Sequence, residues 1–194
     1  AVIKEKQIDV GLLSSERRSE IKRGLKNCVI ERIDAEYLSS NGFEIFLSAY
    51  KRYKGVKHFS LTPEGFKNRI LERKSFSNIF HFWGIFNNSR LIGYAENLIY
   101  DNIEVNYSTI KLNPQYLEFY PSYALIYQMN KYYLEQCGFE YVNDGFRSIL
   151  HQSNIQNFLI KKFEFVKKYT NLKVHYKPFL SFAVSSTFPL KNIL

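Results

Sequence analysis

Three strand-like runs follow one another in the middle of the chain and constrain its fold more than any other feature. They are FHFWGIF at 80–86, LIGYAENLIY at 91–100 and IEVNYSTIKL at 103–112. Asn-Asn-Ser separates the first two runs and Asp-Asn separates the last two, and residues of these types favour tight turns. Because strands joined by such short turns pair in opposite directions, the sequence predicts an antiparallel meander.

One strand and two helices are predicted on the N-terminal side of the meander. VIERI at 29–33 is typical of a strand, and residues 35–53 show helical periodicity. A second helix opens at Thr62 and Pro63, because Thr is a favourable N-cap and Pro fits the first helical turn.

Helix, strand, helix and strand are predicted to follow the meander. A helix is expected over 121–138, which begins with Pro and ends with Gly, and the buried strand FEYVND follows at 139–144. Ser153 opens another helix, where Ser153 and Gln156 are expected to form a capping box. A bent or paired strand over 165–178 comes next. The order predicts a mixed α/β protein built around one sheet.

The first 26 residues differ from the rest of the chain in being polar and basic. Apolar residues four apart within 15–26 predict a short helix with a thin apolar stripe. The basic residues of this run are Arg17, Arg18, Lys22, Arg23 and Lys26. We therefore expect three parts: a basic helical segment or connector at 1–26, a domain at 27–178 and a C-terminal arm at 179–194.

Composition limits the classes of partner and location. The net charge of +9 favours anionic partners such as nucleic acid, phosphate-bearing cofactors or anionic lipid, although solubility alone also explains it. No apolar run approaches the ~18 residues that a transmembrane span needs. Two cysteines, Cys28 and Cys137, are too few for a disulfide framework or a zinc site. His58, His81 and His175 do not show metal-ligand spacing either, so no metal is expected. The few cysteines make a reducing, cytoplasmic location the expectation.

The order of elements from about residue 28 to 178 resembles the GNAT acyltransferase superfamily. SNIQNFLIKKFEF at 153–165 is similar to the GNAT helix that ends in a lysine, apolar, Gly-Phe turn, although Glu164 stands where that Gly would be and Ile160 where many members have Tyr. The resemblance implies a GNAT-like mixed sheet with a central antiparallel meander and flanking helices. It also implies an N-acyltransferase with acyl-CoA as co-substrate, usually acetyl-CoA, and a small amine acceptor such as an amino sugar or amino-acid derivative.

A more specific resemblance is to the Fem-type peptidoglycan aminoacyltransferases of bacteria. The residues that carry it are SSERRSEIKRGLKNC at 14–28, YPSYALIYQMNKYYLEQCGFEYVNDGFRSI at 120–149 and HQSNIQNFLIKKFEF at 151–165. Fem proteins join two GNAT-like halves, and this chain has room for one. The resemblance implies aminoacyl-tRNA as an alternative donor, with a cell-wall peptide as acceptor. A GNAT-like module that binds a partner without catalysis is the third hypothesis.

The GNAT resemblance also implies a donor site between the last meander strand and the helix that begins at Pro121. In that superfamily the fourth strand splays from the fifth, and the pyrophosphate lies on a helix N-terminus, where free N–H groups and the helix dipole favour an anion. The implied donor contacts are Ile110, Lys111 and Leu112 along the pantetheine arm, the N–H groups of Ser122, Tyr123 and Ala124 at the phosphates, and Asn154 and Gln156 on the last helix. The stretch 113–124 lacks the glycines of the usual GNAT turn, which favours the other two hypotheses.

Catalytic candidates lie in the polar run 144–151, which follows a strand end, where sites in open α/β sheets usually lie. His151 is the predicted general base because an imidazole titrates near neutrality. Asp144 would orient His151 or bind the incoming ammonium group, and Arg147 would hold a carboxylate or phosphate on the acceptor. The alternative is that Asp144 belongs to a turn, that Arg147 is a surface charge and that His151 has a structural role.

Two carboxylates on the meander are weaker candidates. Glu96 and Glu104 lie where GNAT enzymes sometimes carry a general base. We expect both to be exposed strand carboxylates.

Overall fold

The predicted meander forms the centre of a seven-stranded sheet in the computed structural model, which describes residues 1–52, 61–145 and 154–169. The strands are β1 (Val2–Lys4), β2 (Val29–Ile33), β3 (Phe80–Asn87), β4 (Arg90–Tyr100), β5 (Glu104–Leu112), β6 (Tyr141–Asn143) and β7 (Val166–Lys167). Their order in the sheet is β2-β3-β4-β5-β6-β1-β7. Every described pair is antiparallel except β5 and β6, which run parallel.

Both meander turns have the left-handed backbone that their residue types favour. Asn88 and Ser89 have φ values of 47° and 62°, and Asp101 and Asn102 have φ values of 49° and 54°. Two consecutive positive φ values match the right-handed twist of the strands that they join. The predicted meander is confirmed.

Six α-helices cover the two faces of the sheet in the described part of the chain. They are α1 (Ser15–Asn27), α2 (Ala35–Asn41), α3 (Phe43–Tyr50), α4 (Pro63–Leu71), α5 (Pro121–Asn130) and α6 (Ile155–Phe163). The backbone of α5 continues as π-helical turns over Lys131–Gln136, and short 3₁₀ helices occupy Val10–Leu12, Lys74–Phe76 and Pro114–Phe119.

Two hydrophobic clusters divide the helices between the faces. On the face that we call the α5 face, α1, α5 and α6 pack through Ile21, Leu125 and Phe163 against the sheet. On the opposite face, the α3 face, α2, α3 and α4 pack through residues that include Phe46 and Phe66. The predicted α/β architecture around one sheet is confirmed. No helix in the described ranges is long and apolar enough to cross a membrane.

The prediction of one helix over 35–53 is wrong in the part that the structure describes, because α2 and α3 meet at Gly42. A Cβ atom at this position would lie 2.7 Å from Leu38 Cδ1 and 3.0 Å from Phe66 Cζ. The close approach of α4 therefore requires a glycine here. The break also changes which side chains face inward, so that Leu38 is buried while Tyr37, an aromatic residue one position earlier, is partly exposed.

The first 26 residues contribute to the sheet and to its α5 face. The strand β1 lies between β6 and β7, and Val2 is only 1% exposed. The helix α1 begins after its N-cap Ser14, whose hydroxyl accepts a hydrogen bond from the Arg17 N–H. The sequence separates 1–26 from the domain, whereas the structure packs β1 and α1 into it. The expected arm at 179–194 and most of the expected strand at 165–178 lie outside the described residues.

Close contact between α1 and α5 depends on Gly24. A Cβ atom there would lie 2.7 Å from the Tyr120 carbonyl oxygen and 3.0 Å from the Ala124 nitrogen, both of them backbone atoms. The α1 backbone thus lies directly against the first turn of α5.

We expect Gly24→Ala to lower the free energy of unfolding by about 1–3 kcal/mol, because the added methyl forces the two helices apart. Urea denaturation monitored by circular dichroism measures the change. The matched control is Gly65→Ala in α4, where the added Cβ meets the flexible Leu61 side chain at 3.1 Å. That control stays within about 1 kcal/mol of wild type, since Ala has the higher helix propensity. Equal effects of the two substitutions would contradict the close packing at Gly24.

Candidate active site

The parallel strands β5 and β6 pair over a short stretch and then separate. Residues 104–106 of β5 pair with residues 141–143 of β6, and the pairing ends at Asn106 and Asn143. β5 continues to Leu112 with β4 on its other side. Among the described residues, the edge of β5 from 107 to 112 that faces away from β4 has no strand partner. Its backbone groups are therefore available to an extended ligand.

A β-bulge lies on β5 where this separation begins. Glu96 pairs with Thr109 and Leu98 pairs with Asn106, so Asn97 alone faces two residues of β5, 107 and 108. A bulge of this kind leaves backbone polar groups outside the ladder and bends its strand. The side chains on either side of the bulge show the shift, since Val105 and Tyr107 but also Ile110 and Leu112 pack on the α5 face.

Buried hydrogen bonds attach the bulge to α5 and its π-helical extension. The Tyr107 hydroxyl donates to Asn130 Oδ1 at 2.7 Å. The Asn97 amide donates to the Tyr133 hydroxyl at 3.2 Å, and the Trp83 indole N–H donates to the same oxygen at 2.9 Å. These contacts tie the bulged strand to α5, although Asn97 Oδ1 and Asn130 Nδ2 are buried with no hydrogen-bond partner among the described residues.

Asp144 follows β6 directly, at the point where β5 and β6 separate. We call the space between the two strands beyond this point the opening. Its backbone N–H donates to the Val2 carbonyl at 3.1 Å, so β1 helps to position it. Burial raises the pKa of the Asp144 carboxyl from the ordinary value of 3.8 to about 7, and a hydrogen bond with the Gln156 side chain opposes that rise. A carboxyl with a pKa near neutrality can either accept or donate a proton at neutral pH. This carboxyl is the best-placed acid–base group that the described residues offer at the opening.

The loop after Asp144 is tied to neighbouring elements. Gly145 has a φ of +54°, and its N–H donates to Asn143 Oδ1 at 2.8 Å. The Gln156 amide donates to the Gly145 carbonyl at 3.1 Å. Gln156 therefore bonds to the loop after β6 instead of capping its own helix, which departs from the predicted capping box. Ser153, the other member of that box, lies outside the described residues.

Polar side chains from β5 and β6 line the α3 face next to Asp144. Asn106 donates to Asn143 Oδ1 at 2.8 Å, and Asn143 donates to Glu104 Oε1 at 2.8 Å. The Tyr141 hydroxyl also donates to Glu104. We call these four residues the β5–β6 polar cluster. Glu104 is partly exposed and lies at the start of the stretch over which β5 and β6 pair.

Glu96 differs from the expectation of an exposed strand carboxylate, since its side chain is buried at 3% exposure and pairs with Arg73. Burial raises the pKa of Glu96, while the charges of Arg73 and Arg69 oppose that rise. The pair lies on β4 beside Thr109, one residue from the bulge. Within residues 92–99, Glu96 and Asn97 interrupt a run of apolar or small residues. This interruption is the sequence signal for a buried polar site.

The implied contacts of the pantetheine arm lie together along the open stretch of β5. Ile110 and Leu112 point toward the α5 face. The Lys111 side chain lies on the α3 face, with Nζ 5.7 Å from the centre of the Phe46 ring. The structure thus places the three residues on the part of β5 that lies beyond its pairing with β6, and their contacts to a donor stay a prediction.

The implied phosphate contacts at the start of α5 are largely engaged within the protein. The Tyr123 and Ala124 N–H groups donate to the Tyr120 carbonyl at 3.1 and 3.3 Å, and Pro121 has no N–H. The Tyr120 N–H donates to the Leu117 carbonyl at 3.1 Å. Within the described residues, Ser122 has the remaining free N–H of this helical turn. One amide offers much less to a pyrophosphate than the three that the resemblance implies.

Two of the remaining predicted site residues are described by the structure and two are not. Asn154 is the exposed N-cap of α6, and its side chain makes no capping hydrogen bond. Gln156 contacts Gly145 and Asp144 as described above. His151 and Arg147 lie outside the described residues, so their predicted roles stay predictions.

A further histidine on the sheet does not supply a base. Burial and the Arg32 charge lower the pKa of His81 to about 4, so its imidazole is neutral at physiological pH and too weak a base for this role. Its Nδ1 atom lies 2.9 Å from Arg32 and 3.1 Å from the Tyr133 hydroxyl. In the ranges that the structure describes, no three His, Cys, Asp or Glu side chains form a group that could hold a metal ion.

Comparisons with known proteins agree on the architecture. No protein-family model matches the chain, and no curated protein matches it. Among solved structures, FemX superposes with a TM-score of 0.59 and 12% identity over 81% of this chain and 56% of FemX. An aminoglycoside acetyltransferase from an uncultured soil metagenomic sample, in complex with sisomicin, superposes with a TM-score of 0.54 and 14% identity over 78% of this chain and 98% of that one.

Glucosamine-6-phosphate N-acetyltransferase from Arabidopsis thaliana superposes with a TM-score of 0.50 and 14% identity, over 77% of this chain and 99% of that enzyme. The chain has the GNAT fold. It spans about half the length of FemX, and nearly the full length of the two acetyltransferases. The separation of β5 from β6 agrees with the GNAT splay that the sequence resemblance implies.

Within this GNAT fold, we expect Asp144→Asn to remove a pH dependence of stability. Between pH 4 and 8 the folded protein keeps the Asp144 proton longer than the unfolded chain does, so this group lowers stability as pH rises. The free energy of unfolding of the variant, measured by urea denaturation, should gain about 1–3 kcal/mol on wild type from pH 4 to pH 8. The control Asp101→Asn changes an exposed turn residue and should show no such trend. A constant difference between Asp144→Asn and wild type would contradict the raised pKa.

Proposed function

We propose that the protein is an N-acyltransferase that moves an acyl group from acyl-CoA to the amine of a small acceptor. The observation that carries this proposal is the open edge of β5, with its bulge, where β6 separates from β5 and Asp144 follows the end of β6. An amine acylation needs a held donor, a polarised carbonyl and a proton acceptor. Groups at the opening are candidates for holding the donor, polarising the carbonyl and accepting the proton.

The open edge of β5 suits an extended donor arm that contains amides. Such an arm can pair with the edge of β5 beyond Asn106, where the pairing with β6 has ended, as an added strand would. The bulge at 107–108 leaves backbone groups outside the ladder, and an N–H among them can polarise the thioester carbonyl. Acyl-CoA supplies the thioester that is cleaved. Acetyl is the acyl group we favour, because the two full-length structural matches are acetyltransferases by name.

Asp144 is the proposed general base. The amine nitrogen forms a bond to the acyl carbon, the carbon–sulfur bond breaks, and the thiolate leaves. The proton lost by the amine passes to the Asp144 carboxylate, which is about half ionised near pH 7. The products are an amide and free CoA. His151, which the sequence predicts as the general base, and Arg147, predicted to hold a carboxylate or phosphate of the acceptor, lie outside the described residues and stay predictions.

The acceptor is proposed to be a small, cationic amine such as an amino sugar or an amino-acid derivative. Glu104 puts negative charge on the α3 face beside Asn143, at the end of β6, and this charge attracts an ammonium group. Asn106 in the same polar cluster provides an amide for hydroxyl or carbonyl groups of the acceptor.

A second candidate uses the same opening with an aminoacyl-tRNA donor. The shortage of free amides at the start of α5 favours it, because a pyrophosphate would find only the Ser122 N–H there. The fold similarity to FemX agrees with the Fem resemblance found in the sequence. The acyl group would then be an aminoacyl ester of RNA, and the acceptor a cell-wall peptide.

The proposed compartment is the cytoplasm. Cys137 is an exposed free thiol and Cys28 a buried one, and free thiols persist in a reducing compartment.

The proposed chemistry predicts that Asp144→Asn loses at least about 100-fold in turnover, because the amide cannot accept the proton. Release of free thiol from acetyl-CoA, measured with a panel of amino sugars and amino-acid amines, reports turnover. Asp101→Asn is the matched control, with the same chemical change at an exposed turn, and it should keep wild-type turnover. Full activity of Asp144→Asn would remove Asp144 from the mechanism.

The choice of donor is tested by thermal unfolding with ligands. We expect CoA to raise the midpoint by several degrees, since a ligand that binds only the native state stabilises it. Dephospho-CoA, which lacks one phosphate, should raise it less. If CoA gives no shift while an aminoacylated RNA does, the second candidate replaces the first.

A further inference from the structure

The outward face of α1 forms a basic groove with a cavity of about 400 Å³. Ser15, Arg18, Ser19, Lys22, Arg23 and Lys26 line it, and we call it the α1 groove. This face lies opposite Ile21 and Gly24, which pack toward α5 and the core. The groove therefore contains four cations, two hydroxyls and no carboxylate among the described residues.

The acidic residues of α1 are engaged elsewhere and do not neutralise the groove. Glu20 accepts hydrogen bonds from Lys162 of α6 at 2.8 and 3.0 Å, and from the Tyr123 hydroxyl at 2.8 Å. Glu16 also pairs with Lys162, at 3.4 Å. In the part of the chain that the structure describes, no cation of the groove forms a salt bridge. α1 thus directs its negative charge to α6 and its positive charge outward.

The spacing of these cations opposes helix stability. Arg18, Lys22 and Lys26 are four residues apart, and like charges at this spacing destabilise a helix. Arg18 is also near the helix N-terminus, where a cation is unfavourable. Its Nη2 atom donates to the Leu13 carbonyl at 3.1 Å, and its buried Nε atom has no hydrogen-bond partner among the described residues. The repulsion between the cations is relieved by a bound anion.

The groove lies beside the helix start that has few free amides. Arg23 donates to the Tyr120 hydroxyl at 3.1 Å, and its guanidinium carbon is 4.5 Å from the centre of the Tyr120 ring. Tyr120 is the N-cap of α5, two residues before the free Ser122 N–H. Cations four residues apart lie about 6 Å apart along the helix axis, so the groove spans more than one phosphate group.

We propose that the α1 groove binds the phosphates of a nucleotide-bearing ligand, with side-chain cations in place of the missing backbone amides. The ligand has at least two phosphate groups. Its identity as the acyl donor, either CoA or an RNA, rests on the proposed function, whereas phosphate binding by the groove does not.

The test measures binding to adenosine 3′,5′-bisphosphate, CoA and a short single-stranded RNA over a series of salt concentrations. The groove variant carries Lys22→Gln and Lys26→Gln. The control carries Lys67→Gln and Lys131→Gln, two exposed lysines away from α1, and so has the same net charge. Circular dichroism verifies that both double variants fold.

We expect the groove variant to bind about tenfold or more weakly while the control binds like wild type. For RNA, the slope of log affinity against log salt should fall by about 1.4, because two phosphate contacts are lost. Binding of CoA and the bisphosphate would identify a small nucleotide donor, and binding of RNA alone an RNA donor; both support the groove. Equal binding by the two double variants overturns the proposal, as does the absence of binding to all three ligands.

Failure of the groove and failure of the proposed function give different results. If no amine is acylated but ligand binding still depends on Lys22 and Lys26, the groove stands and the acyltransferase proposal fails. If acyl transfer proceeds equally in wild type and in the groove variant at subsaturating donor, the groove proposal fails and the enzyme stands. Asp144→Asn should lose turnover while its ligand binding stays at the wild-type level.

Discussion

Between the pairs Glu96–Thr109 and Leu98–Asn106, β5 has two residues where β4 has one. The candidate site depends on this mismatch. Because Asn97 faces both Tyr107 and Ser108, the ladder cannot include every backbone group there, and β5 bends at the point where β6 leaves it. The Tyr107 hydrogen bond to Asn130 fixes the bend to α5. A free strand edge, displaced backbone groups and the start of the next helix are thereby brought to one opening. Asp144 lies at the same opening because β6 ends there.

The second constraint is the direct packing of α1 on the start of α5. Gly24 lets the two backbones approach, and the Tyr120 carbonyl lies against that glycine while accepting the Tyr123 and Ala124 N–H groups. The helix start is therefore stabilised by its own chain and has little left for a phosphate. The same packing turns the basic face of α1 outward beside Tyr120. A loss of amide donors and a gain of side-chain cations thus follow from one helix contact.

Local patterns predicted the meander and the sheet, because alternation and turn residues act over a few positions and both turns adopted the left-handed backbone of their residue types. Long-range packing was less accessible to the sequence. Gly42 lies between α2 and α3 with Leu38 and the distant Phe66 packed against it, and β1 joins the sheet through partners more than a hundred residues away. In the site, Asp144 was named from its place after a strand, but its raised pKa depends on burial. The bulge has no local signature beyond polar Asn97 in an apolar strand, and Glu96 was expected to be exposed.

Hydrogen–deuterium exchange with and without acetyl-CoA is the most direct test of a donor site on β5, since it reports the backbone amides of that strand. We expect slower exchange over 107–112 when acetyl-CoA is bound, because the donor occupies the strand edge and the bulge. The paired residues 90–96 of β4 should exchange at an unchanged rate. Unchanged exchange over 107–112 under saturating acetyl-CoA, or protection confined to other strands, would contradict a donor site at the opening between β5 and β6.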